Sequence, residues 1–140
     1  LYSKNQLWGQ QKDEIAVYEK PGGQHSISFL DDAKTADSLY FPEYLEGKDQ
    51  YPYFIDGNHA ATILKNSDPA ASGKLLVVRD SYGHCFAPFL ADDYAEVHLL
   101  DLRYFNLAPS VYAGQNGITE VLLLYSTDSW ATDASLSKLR

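Results

Sequence analysis

The stretch LLVVRDSYGH, at residues 75–84, decides the fold class of this 140-residue chain. Its first four residues are apolar without alternation, which is typical of a strand buried on both faces of a parallel sheet. A polar turn follows at once, and residues 81–91 then place Phe86, Phe89 and Leu90 at helical spacing. Pro88 should kink or shorten that helix. A buried strand followed directly by a helix predicts an α/β protein.

Two further apolar runs repeat the pattern, at residues 96–101 (EVHLLD) and 118–126 (ITEVLLLYS). With helical crossovers between the runs, residues 74–126 predict a β-α-β-α-β unit and hence a largely parallel sheet covered by helices. Upstream, the segments 14–19 and 25–30 flank a Pro-Gly-Gly turn and predict a β-hairpin.

We therefore expect one domain with a three-layer, flavodoxin-like α/β fold. Residues 1–50 would form an irregular, β-rich N-terminal part that contains the hairpin, and residues 51–140 would form the α/β part.

The composition narrows the classes of function. The chain has 19 acidic and 11 basic residues and a formal net charge of -8, whereas a nucleic-acid binder needs clustered Lys and Arg. Its single Cys excludes an intrachain disulfide, and no two His residues have the HxH or HxxxH spacing of a metal site. No phosphate-binding glycine loop occurs, so we expect no cofactor. No apolar run is long enough to span a membrane.

Ser81 is the strongest candidate for chemistry. It follows the predicted strand at its carboxyl end, where open α/β sheets bind their ligands. The N–H groups that open the next helix could stabilise an oxyanion there, in the setting that a serine nucleophile needs. A structural alternative stays open, in which Ser81 is only the N-cap of that helix.

A second polar cluster, DGNH, lies at residues 56–59. Asn58 could donate its amide to a developing oxyanion, and His59 could act as a base or contact the substrate. Gly57 permits a tight turn or a close approach of the backbone. The alternative is an ordinary turn before a helix, with Asp56 or Asn58 as its cap.

Other charged residues surround these two clusters. His84 comes three residues after Ser81, one helical turn along, and could face the same crevice. Arg79 could bind an anionic group or pair with a neighbouring carboxylate. Asp101 and Arg103 follow the second apolar run, and we expect them to form an ion pair within a loop.

The order of these motifs resembles the C-terminal part of the bacterial DHHW protein family, which is similar to the SGNH-like acetyltransferase domains of alginate acetylation. The resemblance covers roughly residues 51–130 and rests on the motifs DGNH, VVRDSY, FAPFL, EVHLLDLRYF and VLLLY. Residues before Tyr51 match less clearly. The resemblance implies an SGNH-type α/β fold in a secreted or membrane-anchored protein, and hence an extracellular or cell-surface location.

The same resemblance implies a serine-dependent O-acyltransferase or esterase that acts on a cell-surface polysaccharide. Ser81 matches the nucleophile in the family's Lys/Arg-Asp-Ser-Tyr pattern, and residues 57–59 match its Gly-Asn-His block. The residues expected to be catalytic are Ser81, Asn58 and His59. The residues expected to bind substrate are Gly57, Asp56, Arg79, Tyr82 and His84.

The sequence departs from the family at the motif that names it. In the acetyltransferase relatives an Asp/His pair of that region activates the serine, but no Asp-His-His-Trp motif occurs in these residues, and Trp8 and Trp130 have different neighbours. The chain contains no Met and begins with Leu1. We therefore expect a truncated C-terminal part that is inactive towards acetyl esters, with its base and acid upstream of Leu1, because a serine without an adjacent base is a weak nucleophile.

A function of a different class stays open, namely a non-catalytic extracellular module that binds glycan or protein. The 11 Tyr residues and the acidic surface suit such binding. The expected partners are a cell-surface polysaccharide or an acyl donor, and a sheet edge left free by truncation could pair with a second copy of the chain. The two functions differ at Ser81, which must lie open near Asn58 and His59 if it is a nucleophile.

Overall fold

The computed structural model describes residues 15–18 and 20–139, and six strands within them form one mixed sheet. The strands are β1 (His25–Phe29), β2 (Thr35–Ala36), β3 (Ala61–Asn66), β4 (Ser72–Arg79), β5 (Tyr94–Leu100) and β6 (Glu120–Leu124). Their order across the sheet is β2-β1-β3-β5-β4-β6. β1 pairs antiparallel with β2 and β3, and β3 pairs antiparallel with β5, whereas β4 pairs in parallel with β5 and β6.

The predicted β-α-β-α-β unit is present, because β4, β5 and β6 are parallel to one another. The prediction of a largely parallel sheet is wrong, since three of the five strand pairings are antiparallel. The apolar run of β5 indicates that both faces of the strand are buried. Burial of both faces does not determine whether a neighbouring strand is parallel or antiparallel. β3 lies beside β5 and runs the opposite way.

The predicted hairpin also takes a different form. Residues 14 and 19 lie outside the described residues, as does Trp8, and residues 15–18 form no strand. The second predicted strand exists as β1, but it pairs with the short β2 that follows it in the chain. The turn between them contains Ala33 with φ of 56°, a left-handed conformation, so the chain reverses after β1 without using the Pro-Gly-Gly segment.

The helices of the described residues are short. They are α1 (Ala87–Ala91), α2 (Pro109–Asn116) and α3 (Thr127–Thr132), with 3-10 turns at Pro42–Glu46, Tyr51–Tyr53, Ser81–Gly83 and Ala134–Leu139. Pro88 lies in the first turn of α1, where its missing N–H costs nothing, so the helix predicted from residue 81 begins only at residue 87. None of the helices described is long and apolar enough to cross a membrane.

Apolar side chains cover both faces of the central strands. On one face, Val77 of β4 and Leu99 of β5 pack with Phe29 and α1. On the other face, buried residues of the same strands pack with Tyr112 of α2. The edge strand β6 is less covered, and its Val121 and Leu123 are 58% and 44% exposed. The sheet thus presents the carboxyl end of β4 between two buried layers.

Candidate active site

One end of the sheet gathers the candidate residues. A row of paired residues crosses four strands at that end: Ala61, Leu100, Val78 and Leu123. Three positions beyond the row, each strand leads to a polar residue: Asn58, Arg103, Ser81 and Ser126. Because neighbouring strands lie about 4.8 Å apart, the segments that carry Asn58 and Ser81 leave the sheet about 10 Å from each other.

Ser81 opens a 3-10 turn, Ser81–Gly83, which we call the serine turn. The alternative in which Ser81 is only the N-cap does not hold, because Asp80 occupies that position: its Oδ1 accepts from the Tyr82 N–H at 3.0 Å and its Oδ2 from the Ser126 N–H at 2.9 Å. Burial opposes ionisation of Asp80, but these hydrogen bonds keep its pKa below the ordinary value. Ser81 itself is half-buried, and its hydroxyl has no hydrogen-bond partner among the described residues.

The N–H groups after Ser81 are not free to hold an oxyanion as expected. The Tyr82 N–H donates to Asp80 Oδ1, and the Gly83 N–H donates to the Asp80 carbonyl at 3.2 Å. The His84 N–H donates to the Ser81 carbonyl at 3.3 Å. With these three donors satisfied, the Ser81 N–H and groups outside the turn are left to stabilise an oxyanion.

Arg79 forms the floor beneath the serine turn. Its side chain is fully buried, and its Nη1 donates to His84 Nε2 at 2.5 Å and lies 3.9 Å from Asp101 Oδ2. Burial lowers the pKa of Arg79 to about 10, against the opposing effect of Asp101, so the guanidinium is charged at neutral pH. A Cβ atom on Gly83 would lie 3.0 Å from Arg79 Cδ, so only glycine lets the turn approach the arginine this closely.

His84 is an uncharged part of the same floor. Its ring is buried and stacks on Tyr51 with 5.5 Å between ring centroids. Burial, and then the nearby charge of Arg79, lower the pKa of His84 to about 3. Because Nε2 accepts from Arg79, the proton lies on Nδ1, which has no partner among the described residues. A buried imidazole with this pKa is not a general base at neutral pH.

Across the site, Ile55, Asp56 and Gly57 have φ values of 52°, 60° and 83°, and we call these three residues the left-handed turn. Positive φ is costly for a β-branched residue such as the fully buried Ile55, by about 1–3 kcal/mol. The turn ends at Asn58, which is exposed and whose amide makes no hydrogen bond to a described residue. No helix follows it, and β3 begins at Ala61.

Asp56 joins the left-handed turn to distant segments. Its side chain is only 5% exposed, and it accepts from Lys34 Nζ at 2.5 Å and from Tyr44 Oη at 2.6 Å. Burial would raise the pKa of Asp56, but these two bonds outweigh burial and lower it. The hydrogen bond between Tyr44 and Asp56 also raises the pKa of Tyr44 to about 12. Sequence reasoning missed Lys34 and Tyr44, since neither lies near the DGNH motif.

His59 lies between two carboxylates. Its Nδ1 is 3.1 Å from Asp31 Oδ1, its Nε2 is 3.6 Å from Asp56 Oδ2, and its ring stacks on Phe29 at 4.0 Å. Asp31 holds Nδ1 as the acid of a base–acid pair would, whereas Nε2, the nitrogen that would take a proton from a serine, faces Asp56. Asp31, which orients His59, carries no motif signal in the sequence.

Asp31 also belongs to the one group of described residues with the spacing of a metal site. Asp31, Asp32 and His59 each offer a ligand atom, and these atoms lie within 4.8 Å of one another. Both oxygens of Asp31 already accept, from His59 and from the Ala60 N–H. The two acids are exposed, and exposed acids commonly cluster without an ion, so we assign no metal here.

The structure thus brings Ser81, Asn58 and His59 to one end of the sheet. Of the residues expected to bind substrate, Tyr82 is exposed, whereas the other four are buried: Gly57, Asp56, Arg79 and His84. Their role as substrate contacts stays a prediction, and their visible role is to hold the two turns. The ion pair expected between Asp101 and Arg103 is confirmed, with Nε–Oδ1 and Nη2–Oδ2 distances of 2.9 and 2.5 Å.

A cavity of about 680 Å³ lies at the opposite end of the sheet. His25 lines it, and His25 pairs with Asn66 at the far end of β3 from Asn58. Tyr18, which is 71% exposed, and Asp92 also line it. The cavity is therefore separate from the end that carries Ser81.

Fold and site together define an α/β protein with a serine at the carboxyl end of a buried strand. No protein-family model matches the chain, and no curated protein matches it either. Among solved structures it is similar to a DHHW family protein from Eubacterium siraeum, with a TM-score of 0.63 and 24% identity over 83% of this chain and 39% of that one. It is also similar to Bacillus cereus PatB1 with a sulfonyl adduct, with a TM-score of 0.64 and 19% identity over 81% of this chain and 39% of that one.

A second structure of Bacillus cereus PatB1 gives a TM-score of 0.61 and 19% identity over 76% of this chain and 36% of that one. The resemblance to the DHHW family is therefore confirmed at the level of the fold. This chain spans less than two fifths of the length of each neighbour, which fits a C-terminal part.

Proposed function

We propose that this chain is the C-terminal part of a longer extracellular or cell-surface protein, a serine-dependent O-acyltransferase or esterase acting on polysaccharide. The observation that carries the proposal is the Ser81 hydroxyl, which is half-buried, does not cap a helix and has no partner among the described residues. PatB1, one of the structural neighbours, is an acyltransferase. A sulfonyl adduct, as in one PatB1 structure, is the product expected when an activated nucleophile attacks a sulfonyl reagent.

In the proposed reaction Ser81 Oγ attacks the acyl carbonyl carbon of the donor while a base takes the hydroxyl proton. The carbonyl oxygen becomes an oxyanion, to which the Asn58 amide and the Ser81 N–H donate. Collapse of the intermediate expels the donor's alcohol or thiol, which takes up the proton, and leaves an acyl ester on Ser81. A glycan hydroxyl or water then attacks this ester and releases Ser81.

The base in this proposal lies upstream of Leu1, as the resemblance implies. His84 does not fill the role, because its pKa is about 3 and its ring is enclosed by Arg79 and Tyr51. His59, oriented by Asp31, is the first residue to test for a base within the chain.

Added imidazole can stand in for a base outside the chain. We expect acetyl-ester turnover by the chain alone to equal that of Ser81→Ala, and turnover in imidazole to exceed that of Ser81→Ala. Equal turnover by the two proteins at every imidazole concentration would remove Ser81 from the mechanism. Ser81-dependent turnover without imidazole that is lost in His59→Ala would instead place the base at His59.

The second candidate is a non-catalytic module that binds glycan or protein. The observation that favours it is the 680 Å³ cavity with the exposed Tyr18 ring, since clefts with aromatic and polar walls suit carbohydrate. Calorimetric titration with soluble polysaccharide tests it. Binding that Tyr18→Ala weakens and Ser81→Ala leaves unchanged would favour the module over the enzyme.

The remaining partner in the proposal is a second copy of the chain. Within the described residues, β6 is an edge strand that begins with Glu120, exposes Val121 and Leu123 and contains no Lys or Pro. The opposite edge of the described sheet, β2, has only two residues and follows Lys34. Long apolar edges invite pairing, and charged or short edges prevent it. Light scattering should give a dimer that Leu123→Lys converts to a monomer, and a monomeric parent chain would contradict this proposal.

A further inference from the structure

The left-handed turn holds Ile55 in a conformation that a β-branched residue does not favour. Three consecutive residues have positive φ, and the first of them is a fully buried isoleucine. Such a backbone conformation persists only where contacts with the surrounding structure hold it in place. Gly57 adds a steric requirement, because a Cβ atom there would lie 3.2 Å from Pro52 Cβ. Such strain clusters at sites where a protein must hold a group in one orientation.

The contacts that hold the left-handed turn include two bonds to one carboxylate, that of Asp56. Lys34 comes from the connection between β1 and β2, and Tyr44 comes from the 3-10 turn at Pro42–Glu46. Both donate to Asp56, which is buried in the middle of the strained turn. Two separate segments thus hold the side chain of the central residue in the turn that leads to Asn58.

The side chain that follows the left-handed turn is the amide of Asn58. Asn58 is exposed, its amide has no partner among the described residues, and it leaves the sheet at the end that carries Ser81. An amide held in advance stabilises a developing oxyanion without reorganising during the reaction.

We infer that Asp56 is a positioning residue: its bonds with Lys34 and Tyr44 lock the left-handed turn, and the locked turn orients the Asn58 amide for the acyl group. The inference rests on the proposed function for its reaction. It deepens that function by assigning roles to Lys34 and Tyr44, which no motif marks.

The conformational part is tested by NMR relaxation of the chain itself. In the unaltered chain the Asn58 backbone amide should have an order parameter near 0.85, and in Asp56→Asn it should fall below about 0.6. If Asp56→Asn does not fold, Tyr44→Phe takes its place as the test. Tyr44→Phe removes a single hydrogen bond and should give an order parameter between these two values. Asp37→Asn, which changes an exposed acid that lines the cavity at the opposite end of the sheet, is the control and should change nothing. An Asn58 amide as rigid in the variants as in the parent would overturn the inference.

The chemical part is tested by a double-mutant cycle on Ser81-dependent turnover in imidazole. Asn58→Ala should lower kcat about 100-fold, and Asp56→Asn about tenfold with KM unchanged. The double variant should match Asn58→Ala alone, because Asp56 acts through Asn58. Multiplying effects would show that Asp56 acts independently of Asn58 and would overturn the inference. Turnover that survives Ser81→Ala would sink the proposed function, while the relaxation measurement would still decide the positioning role.

Discussion

The two turns at the Ser81 end of the sheet are built in opposite ways. The serine turn has ordinary backbone angles, and it is held by its neighbours in sequence, Asp80 as the cap and Arg79 as the floor. The left-handed turn has three positive φ values and is held by Lys34 and Tyr44, which are 22 and 12 residues away from Asp56.

This difference separates two roles. The candidate nucleophile lies on a turn that local sequence specifies, whereas the candidate oxyanion donor depends on tertiary contacts. Substitutions should therefore affect the two turns differently.

Asp56→Asn should have the largest effect on stability. It removes the buried carboxylate that accepts from Tyr44, a charge-assisted hydrogen bond of about 2 kcal/mol. The ion pair with Lys34 adds at most about 1 kcal/mol, because the Lys34 side chain is 46% exposed. Because the folded-state pKa of Asp56 is lowered, its contribution is present above the unfolded pKa near 3.9 and is lost as pH falls through the folded value. Urea unfolding at pH 7 should show a large difference in the free energy of unfolding between the parent chain and Asp56→Asn. This difference should disappear at low pH. Asp37→Asn is the control, and an equal loss of stability there would contradict the stabilising role of the bonds from Lys34 and Tyr44 to Asp56.

The serine turn should respond to acid through His84. The folded-state pKa of about 3 lies below the ordinary 6.5, so the unfolded chain takes up a proton that the folded chain does not, and stability falls as pH drops below 6.5. Between pH 6.5 and 5 this amounts to roughly 2 kcal/mol. Unfolding of His84→Phe over the same range should lack this loss. A parallel pH dependence in both proteins would show that His84 titrates normally.

Gly83→Ala tests the close packing of the serine turn on Arg79. The new Cβ would lie 3.0 Å from Arg79 Cδ, so the turn must move, at a cost of about 1–2 kcal/mol. Gly114→Ala is the matched control, because a Cβ there meets nothing within 4 Å, and helix α2 should gain stability from alanine. Thermal unfolding of the two variants should shift in opposite directions, and equal shifts would argue against the packing.

Ser81→Ala should have the smallest effect on stability, below about 0.5 kcal/mol, because the hydroxyl makes no hydrogen bond to the described residues. Asp80, and not Ser81, caps the turn. A loss above 1 kcal/mol in urea unfolding would show that the hydroxyl has a structural partner.

The sequence could predict the serine turn because its signals are local. The apolar run before Arg79 indicates a doubly buried strand, and the polar residues after it place Ser81 at the strand's carboxyl end. The ion pair of Asp101 with Arg103 has the same local character. The sequence leaves the cap open between two neighbouring residues, since Asp and Ser are both favoured N-caps and only the hydrogen bonds of Asp80 decide between them.

Gly57 indicates a turn in the DGNH motif, but the left-handed conformation of Ile55 and Asp56 could not be predicted from the residues near them. Isoleucine and aspartate rarely take positive φ, and the contacts that stabilise them come from Lys34 and Tyr44. The antiparallel pairing of β3 with β5 escaped prediction for a related reason, since the burial pattern of a strand does not encode the direction of its neighbour.

The central claim is that Ser81 is the nucleophile, and its most direct test is covalent modification by a sulfonyl fluoride in the presence of imidazole, mapped by peptide mass spectrometry. One sulfonyl group on Ser81, and none in Ser81→Ala, is the expected result. An unmodified Ser81, or equal modification of an exposed serine such as Ser110, would contradict it.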